Sequence, residues 1–179
     1  MSLTINHIKG INRREDFPKL IDEREYRIGI EIGVDSGAFS AKLLNDSRLL
    51  TLYGADIWHR HPDRKLEAEK ILNPFGGRSN LLTEASPGVA ARFTDDFFDF
   101  IYIDGNHHYR PVRSDINAFW PKLKSGGCLA GHDYVVAKGC GVIPAVNEFV
   151  TKNNIPLYTT QENGPLLSDQ LISWFFFKP

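Results

Sequence analysis

The sequence predicts a single α/β domain, doubly wound and Rossmann-like, with a mostly parallel seven-stranded sheet and helices on both faces. Strand-like and helix-like segments alternate along most of the chain, and such alternation implies parallel strands joined by crossover helices. The stretch 97–103 is almost continuously apolar, as expected of a central strand covered on both faces. With 179 residues, of which 42% are hydrophobic and 24% charged, the chain is long enough for one sizeable core.

The element boundaries follow from residue patterns and from Gly and Pro punctuation. The predicted strands are 27–32, 50–55, 80–83, 97–104, 127–130, 157–160 and 171–177. The predicted helices are 36–44, 64–72, 87–93, 111–123 and 142–152. Ser36 suits a helix N-cap and Pro87 and Pro111 suit first turns, while the glycines of 125–127 are expected to end the helix that begins at Pro111.

The end and the beginning of the chain depart from this alternation. No helical segment separates the last two strands, so an antiparallel C-terminal hairpin is expected at one edge of the sheet. The apolar strand 174–177 is expected at that edge, where a second copy of the chain would cover it and form a homodimer. Residues 1–26 are predicted to be an N-terminal helical segment before a domain at 27–179.

Composition excludes several classes of partner. The formal net charge is −1, and no stretch concentrates Lys and Arg, so nucleic acid is not an expected partner. No apolar run approaches the roughly 20 residues of a membrane helix, and the first ten residues lack a secretory signal pattern. A cytoplasmic location without membrane attachment is therefore expected. Cys128 and Cys140 are predicted to be reduced thiols without a functional role.

The first motif is Glu31-Ile-Gly33-Val-Asp-Ser-Gly37, which begins at the end of the first predicted strand and continues into the next helix. Its glycines allow a sharp turn and the close approach of a ligand to the main chain. The spacing differs from the Gly-x-Gly-x-x-Gly fingerprint of dinucleotide-binding proteins. The preceding acidic residue favours a ligand that bears an ammonium group over one that bears a pyrophosphate. A purely structural turn is the alternative.

The second motif is the end of the next strand, where Asp56 follows the glycine turn by about 20 residues. A carboxylate at this position can accept hydrogen bonds from the two hydroxyls of a ribose. An ordinary exposed loop aspartate is the alternative interpretation.

Two further strand ends carry groups suited to acid–base or metal chemistry. Asp104 and His107 follow the most buried predicted strand, and His132 and Asp133 follow the next one. Of the adjacent histidines 107 and 108, we expect His107 to be functional and His108 to lie at the surface. Asp104 and Asp133 are expected at neighbouring strand ends, close enough to share Mg²⁺. The alternative is that His132 and Asp133 only hydrogen-bond loop backbone.

Taken together, these motifs resemble the class I S-adenosylmethionine-dependent methyltransferases. The resemblance spans about 28–179 and lies nearest the small-molecule O-methyltransferase-like branch of macrocin O-methyltransferases and cephalosporin-hydroxylase-like proteins. It implies that S-adenosylmethionine is the cofactor. The implied cofactor-binding residues are Glu31, Gly33, Val34, Ser36 and Gly37 for the methionine part, Asp56 for the ribose, Ala85 and Ser86 for the adenine, Trp58 as a candidate cover, Asp104 at the sulfonium end, and Ile57 without an assigned part of the cofactor.

The resemblance also implies direct displacement, in which a hydroxyl of a small-molecule acceptor attacks the sulfonium methyl. His107, or else His132, is expected to accept the hydroxyl proton, and Mg²⁺ is an alternative way to lower the hydroxyl pKa. The resemblance also makes His132 a candidate third metal ligand, at a position where metal-dependent relatives place an oxygen ligand. A non-catalytic ligand-binding module and, less favoured, a nicotinamide-dependent oxidoreductase remain as alternatives. The polar stretch 58–80 is either a lid over the acceptor or a solvated connection.

Overall fold

The computed structural model describes residues 3–59, 61–160 and 172–179. The strands in that part of the chain are β1 Ile5–Asn6, β2 Ile28–Ile32, β3 Thr51–Asp56, β4 Ser79–Thr83, β5 Phe98–Ile103, β6 Leu123–Gly131, β7 Leu157–Thr159 and β8 Trp174–Phe177. The α-helices are α1 Phe17–Glu23, α2 Ala38–Asp46, α3 Pro62–Leu72, α4 Ser86–Ala91, α5 Tyr109–Phe119 and α6 Val142–Asn153. Short 3₁₀ helices occupy Arg14–Asp16 and Asn73–Arg78.

All the described strands form one sheet in the order β1-β7-β8-β6-β5-β2-β3-β4. Only β8 is antiparallel to its neighbours, and the other pairings are parallel. The order reverses between β2 and β5, which places the carboxyl ends of both strands beside a crevice suited to a ligand. The predicted doubly wound α/β fold with an antiparallel C-terminal hairpin is therefore confirmed.

The helices cover both faces of the sheet, each over its own hydrophobic core. In β5, Ile101 and Ile103 contact the layer of α4, α5 and α6. Phe100 and Tyr102, which alternate with them, contact the layer of α1, α2 and α3. Successive strand side chains point to opposite faces, so this apolar strand contributes to both cores at once, as the sequence predicted.

The sheet edge differs from the prediction. An eighth strand, β1, pairs with β7 and forms that edge, while β8 lies between β6 and β7. Trp174, Phe175 and Phe176 are therefore buried within the chain. The prediction of an apolar edge strand at 174–177 was wrong, because the hairpin inserts its second strand into the sheet instead of adding it outside. The start of that predicted strand, residue 171, lies outside the described residues.

Two predicted helix boundaries also differ. The N-cap of α2 is Gly37, with φ +82°, and no side chain caps this end, so Ser36 is not the cap. Helix α5 ends at Phe119, and the glycines predicted to cap it lie inside β6. There Gly126 has φ +77° at an irregularity in the β5–β6 register. Its left-handed conformation therefore serves a bulge in the strand.

The N-terminal segment is built into the same fold. The ring of Phe17, at the start of α1, lies 5.7 Å from that of Phe100, 5.5 Å from Tyr102 and 5.6 Å from Phe175. Residues 3–26 thus supply a strand, a helix and core contacts, and the division at residue 26 stays a prediction.

The stretch between β3 and β4 is a crossover helix with a buried face. Helix α3 buries Ala68 and Leu72, and a Cβ at Gly37 would lie 3.2 Å from the Ala68 backbone. This close packing favours a structural connection over a lid. Within the described ranges, no helix combines the length and apolar character that crossing a bilayer requires. Cys128 is buried, Cys140 is partly buried, and both are free thiols.

Candidate functional site

A cavity of about 560 Å³ opens at the carboxyl ends of β2, β3, β4 and β5. The residues that line it are Ile32, Gly33, Asp35, Ala55, Asp56, Ile57, Glu84, Ala85, Ser86, Pro87, Asp104, Gly105, Asn106, Pro111, Ser114 and Asp115. Five of these carry a carboxyl group, and none is a lysine, arginine or histidine. The cavity thus offers acceptors and negative charge to a ligand rich in donors, and it lies at the switch point where open α/β sheets bind ligands.

The glycine turn after β2 brings two strand ends into close contact. Gly33 has φ +91°, and a Cβ there would lie 2.3 Å from the carbonyl oxygen of Asp104. The Asp104 amide donates to the carbonyl of Ile32 at 2.7 Å. Only glycine combines this backbone angle with such a close approach, so the cavity floor depends on this residue.

Asp56 connects the loop that follows β2 with the loop that follows its own strand, β3. Its Oδ2 accepts a hydrogen bond from the Asp35 amide at 3.0 Å, and its Oδ1 accepts one from the Trp58 amide at 3.0 Å. A carboxylate has about four acceptor positions, so two remain for a ligand. Asp56 lines the cavity, as a ribose-binding residue would.

Trp58 occupies a different place from the one predicted. Its side chain is 5% exposed and packs in the core beneath α1, α2 and α3. Its indole Nε1 donates to the Asp35 carbonyl at 2.8 Å. Trp58 therefore braces the glycine loop and is not a cover over the cavity. Ile57, 46% exposed and on the cavity wall, is an apolar residue in position to cover a ligand.

Glu31 is buried behind the cavity wall. It is 1% exposed, accepts a hydrogen bond from the Ser40 hydroxyl and is absent from the residues that line the cavity. Burial raises its pKa to about 8, although the Ser40 hydrogen bond opposes that change. Glu31 does not line the cavity, and its predicted binding role stays a prediction.

The second group of functional side chains lies at the ends of β5 and β6. Nε2 of His107 is 3.0 Å from Oδ2 of Asp133 and 3.5 Å from Oδ1 of Asp104. Nδ1 of His132 is 3.4 Å from the same Asp133 oxygen and 3.8 Å from Asp104. The structure thus brings together the four residues that the sequence selected from these strand ends.

The charges of these four residues determine which of the two histidines can act as a general base. Asp104 and Asp133 raise the pKa of His107 to about 10. Burial favours a higher pKa for Asp133, but the nearby imidazoles of His107 and His132 outweigh it and hold that pKa below its ordinary value. An imidazole protonated at neutral pH cannot act as a general base. This arrangement therefore disfavours His107 as the base and leaves His132 as the better candidate.

The same group can hold a cation. Ligand atoms of Asp104, His107 and Asp133 all lie within 4.8 Å of one another. Nε2 of His107 is buried yet makes no hydrogen bond of acceptable geometry. Two carboxylate oxygens and an imidazole nitrogen are a donor set that divalent metals accept, although Mg²⁺ prefers oxygen alone. The residues present fit a divalent cation.

Arg14, from the 3₁₀ helix before α1, reaches into this group and was not predicted from the sequence. Its Nη1 lies 2.9 Å from Oδ2 of Asp104, and its guanidinium stacks over the Phe39 ring at 4.8 Å. No local pattern distinguishes Arg14 from its neighbour Arg13, so this contact could not be read from the sequence.

Asp115 of α5 is a second residue that the sequence interpretation missed. It is 5% exposed, lines the cavity and accepts a hydrogen bond from the Ser86 hydroxyl through Oδ1. Burial raises its pKa to about 6. A signal did exist, because Asp115 falls within the apolar stripe of Val112, Ile116 and Phe119 on this helix.

The predicted cofactor-binding residues divide into two groups. Those that line the cavity are Gly33, Asp56, Ile57, Ala85, Ser86 and Asp104. Those that do not are Glu31, Val34, Ser36, Gly37 and Trp58. Of the second group, Val34 and Trp58 are buried core residues and Gly37 begins α2. These three therefore contribute to the structure of the loops and not to the lining of the cavity.

Comparisons with solved structures show the same fold. An O-methyltransferase from Bacillus cereus in complex with SAH has a TM-score of 0.69 at 16% identity, covering 92% of this chain and 80% of that one. The N-methyltransferase NodS from Bradyrhizobium japonicum has a TM-score of 0.67 at 16% identity, covering 93% and 94%. An rRNA methylase from Streptococcus thermophilus has a TM-score of 0.66 at 15% identity, covering 92% and 93%. At these identities the likeness concerns the fold alone.

Sequence comparison adds one short match and one family. An uncharacterized protein of Acanthamoeba polyphaga mimivirus is 38% identical over 53 residues, which are 29% of this chain and 24% of that protein. The chain thus matches only about a quarter of that relative's length. The family model described as a methyltransferase domain matches residues 30–134, a range that holds the cavity residues and the groups at the ends of β5 and β6. More than half of the chain fits this model, and the protein therefore belongs to the methyltransferase domain family.

Proposed function

We propose that the protein transfers a methyl group from S-adenosylmethionine to a hydroxyl of a small polar acceptor. The observation that carries this proposal is the acidic cavity at the switch point of the sheet. S-adenosylmethionine presents a sulfonium, an ammonium group, a ribose diol and an amino group, all of which suit carboxylate partners. A dinucleotide presents a pyrophosphate, which this cavity would repel.

The cavity residues would bind the cofactor in an extended pose. The ribose diol would donate to Asp56, and the backbone at Gly33 would let the methionine part lie close to the main chain. Asp104, at the end of β5, would face the sulfonium. Asn106 lines both this cavity and an adjoining one of about 340 Å³ that also contains His107 and Asp133. The acceptor would enter from that second cavity.

The transfer is a direct displacement, so alignment of the hydroxyl oxygen with the methyl carbon is the protein's main contribution. We assign the proton of the attacking hydroxyl to His132, whose side chain is 13% exposed beside Asp133. Asp104 and Asp133, joined by His107 once its imidazole has released its proton, would hold a divalent cation, Mg²⁺ in our proposal. A bound cation of this kind lowers the pKa of a coordinated hydroxyl.

Binding measurements test the cofactor part of the proposal. Isothermal titration with S-adenosylmethionine and S-adenosylhomocysteine should give micromolar dissociation constants. Asp56→Asn should weaken binding about 10-fold or more, as expected for loss of a hydrogen bond to a charged group. The control Asp63→Asn removes an exposed carboxylate on α3 and should bind as the wild type does. No binding of either ligand by the wild type would refute the proposal.

Activity measurements test the acceptor part. Transfer of a labelled methyl group should be assayed over a panel of sugars and other hydroxylated small molecules, with Mg²⁺ or with a chelator. His132→Ala should lower turnover far more than it lowers cofactor affinity. Tight cofactor binding without transfer to any member of a broad panel would instead favour a non-catalytic binding module.

A further inference from the structure

The carboxylates of the cavity differ in whether a cation balances their charge. Asp104 pairs with Arg14 at 2.9 Å, Glu84 with Arg92 at 2.7 Å, and Asp35 with Arg64 at 3.3 Å. Among the described residues, Asp56 and Asp115 have no such pair. Asp56 accepts hydrogen bonds from two backbone amides. Asp115 is therefore the cavity carboxylate whose negative charge is least compensated by nearby groups.

The burial of Asp115 is costly and needs a reason. Its contacts include the Ser86 hydroxyl but no cationic group of the described chain, and the residue is only 5% exposed. Burying a carboxyl with so little compensation destabilises a fold. Groups placed in this way inside a cleft are candidates for ligand recognition. Burial also raises the pKa of Asp115 to about 6, which still leaves it largely ionised at neutral pH.

The position of Asp115 relates to the order of groups along the cofactor. Strands β5, β2, β3 and β4 lie side by side in that order, so β4 is about 14 Å from β5. Asp104 directly follows β5 and Asp56 ends β3, whereas Ser86 begins α4 beyond β4. A cofactor with its sulfonium near Asp104 and its ribose at Asp56 therefore directs its adenine toward Ser86.

The surroundings of Asp115 suit a purine. Ile57, Pro87 and Pro111 provide apolar surface in the same cavity, which the faces of an aromatic base can contact. Asp115 lies six residues into α5, about 9 Å along the axis from the helix start. It is therefore set back from the group at the ends of β5 and β6, and its hydrogen bond with Ser86 places it on the α4 side of the cavity.

We propose that Asp115, oriented by Ser86, accepts a hydrogen bond from the exocyclic amino group of the adenine and so makes the cavity specific for an adenine base. The Ser86 hydroxyl donates to Oδ1, which leaves Oδ2 of this cavity-lining residue available to accept from the ligand. This inference rests on the proposed function, because it needs the cofactor to be an adenosine derivative. It assigns specificity to a helix residue that lies outside the glycine loop and the strand ends.

A pair of ligands that differ only at the base tests this assignment. S-adenosylhomocysteine carries the amino group, and S-inosylhomocysteine carries a carbonyl oxygen in its place. The wild type should bind the adenosine compound about 10- to 100-fold more tightly, because the inosine oxygen would face a carboxylate with no proton to donate. The ratio of the two dissociation constants is the readout, so a general loss of affinity or stability does not affect it.

Asp115→Asn provides the decisive variant, since its amide keeps the shape and can donate to the inosine oxygen. We expect the preference to fall to about 1 or to reverse, and Ser86→Ala to reduce it partly. Asp63→Asn should leave it unchanged. A wild-type preference that Asp115→Asn leaves intact, or no preference in the wild type, would overturn the inference while the cofactor assignment stands. If the wild type binds neither compound, the proposed function itself fails.

Discussion

Glu31 places an ionisable carboxyl inside the core, and its replacement by glutamine makes a quantitative test of the structure. The residue is 1% exposed, and burial raises its pKa from 4.5 to about 8. The substitution Glu31→Gln keeps the size of the side chain and an oxygen that can accept from Ser40. It removes the ability to ionise and puts an amide NH₂ in the place of one carboxyl oxygen.

The sign and size of the effect follow from proton linkage. Between pH 4.5 and 8 the folded state holds the proton that the unfolded chain has released, so the wild-type free energy of unfolding falls as pH rises. This contribution to stability is complete below about pH 4.5 and is lost by about pH 8. A pKa difference of this size corresponds to about 5 kcal/mol in total, at about 1.4 kcal/mol for each pH unit. At pH 7 the variant should be more stable by about 3 kcal/mol.

Urea unfolding at pH 5, 6, 7 and 8, followed by circular dichroism, measures this difference. The stability advantage of Glu31→Gln should grow by about 1.4 kcal/mol per pH unit up to pH 7 and level off near pH 8. Glu67→Gln, at a half-exposed position, should differ from the wild type by less than about 0.5 kcal/mol. A difference between Glu31→Gln and the wild type that stays constant with pH would refute the reasoning.

Further predictions concern the loop, the N-terminal segment and the catalytic group. Gly33→Ala should lower the free energy of unfolding by about 2 kcal/mol or more, because its Cβ would meet the Asp104 carbonyl at 2.3 Å. Thermal unfolding checks this against the control Gly77→Ala, where nothing lies within 4 Å of the added Cβ. Equal losses of stability in the two variants would contradict the prediction. Phe17→Ala should lower the free energy of unfolding in urea by about 3–5 kcal/mol, because it removes a fully buried ring. A loss of stability below about 1 kcal/mol would mean that α1 is not part of the core. Arg14→Met should raise the affinity for Mn²⁺ several-fold, because it frees an oxygen of Asp104 from its ion pair. Electron paramagnetic resonance of bound Mn²⁺ measures this affinity. An unchanged affinity would argue against a cation at this carboxylate.

Local sequence determined much of the fold. The alternation of strand and helix patterns and the apolar stretch of β5 determine the parallel, two-faced sheet, because burial on both faces requires apolar residues at every position. The motifs Gly33, Asp56, Asp104 and Asp133 could be located because the carboxyl ends of parallel strands meet at one edge. The topology thus brings together residues that are far apart in the chain.

The tertiary structure decided the position of the last strand and the orientation of individual side chains near the site. Local pattern could not show that β8 inserts between β6 and β7, because an apolar strand fits an edge and an interior equally well until its neighbours are known. Trp58 is an aromatic residue beside a ligand motif, yet its backbone φ of +42° and its hydrogen bond to Asp35 turn it into the core.

The contributions of Arg14 and Asp115 depend on contacts 90 and 29 residues apart in the chain. Sequence alone therefore determined the fold class and the strand ends that carry the site. Only the tertiary structure decided which of the nearby polar groups face the cavity, because that depends on packing between elements that no local pattern encodes.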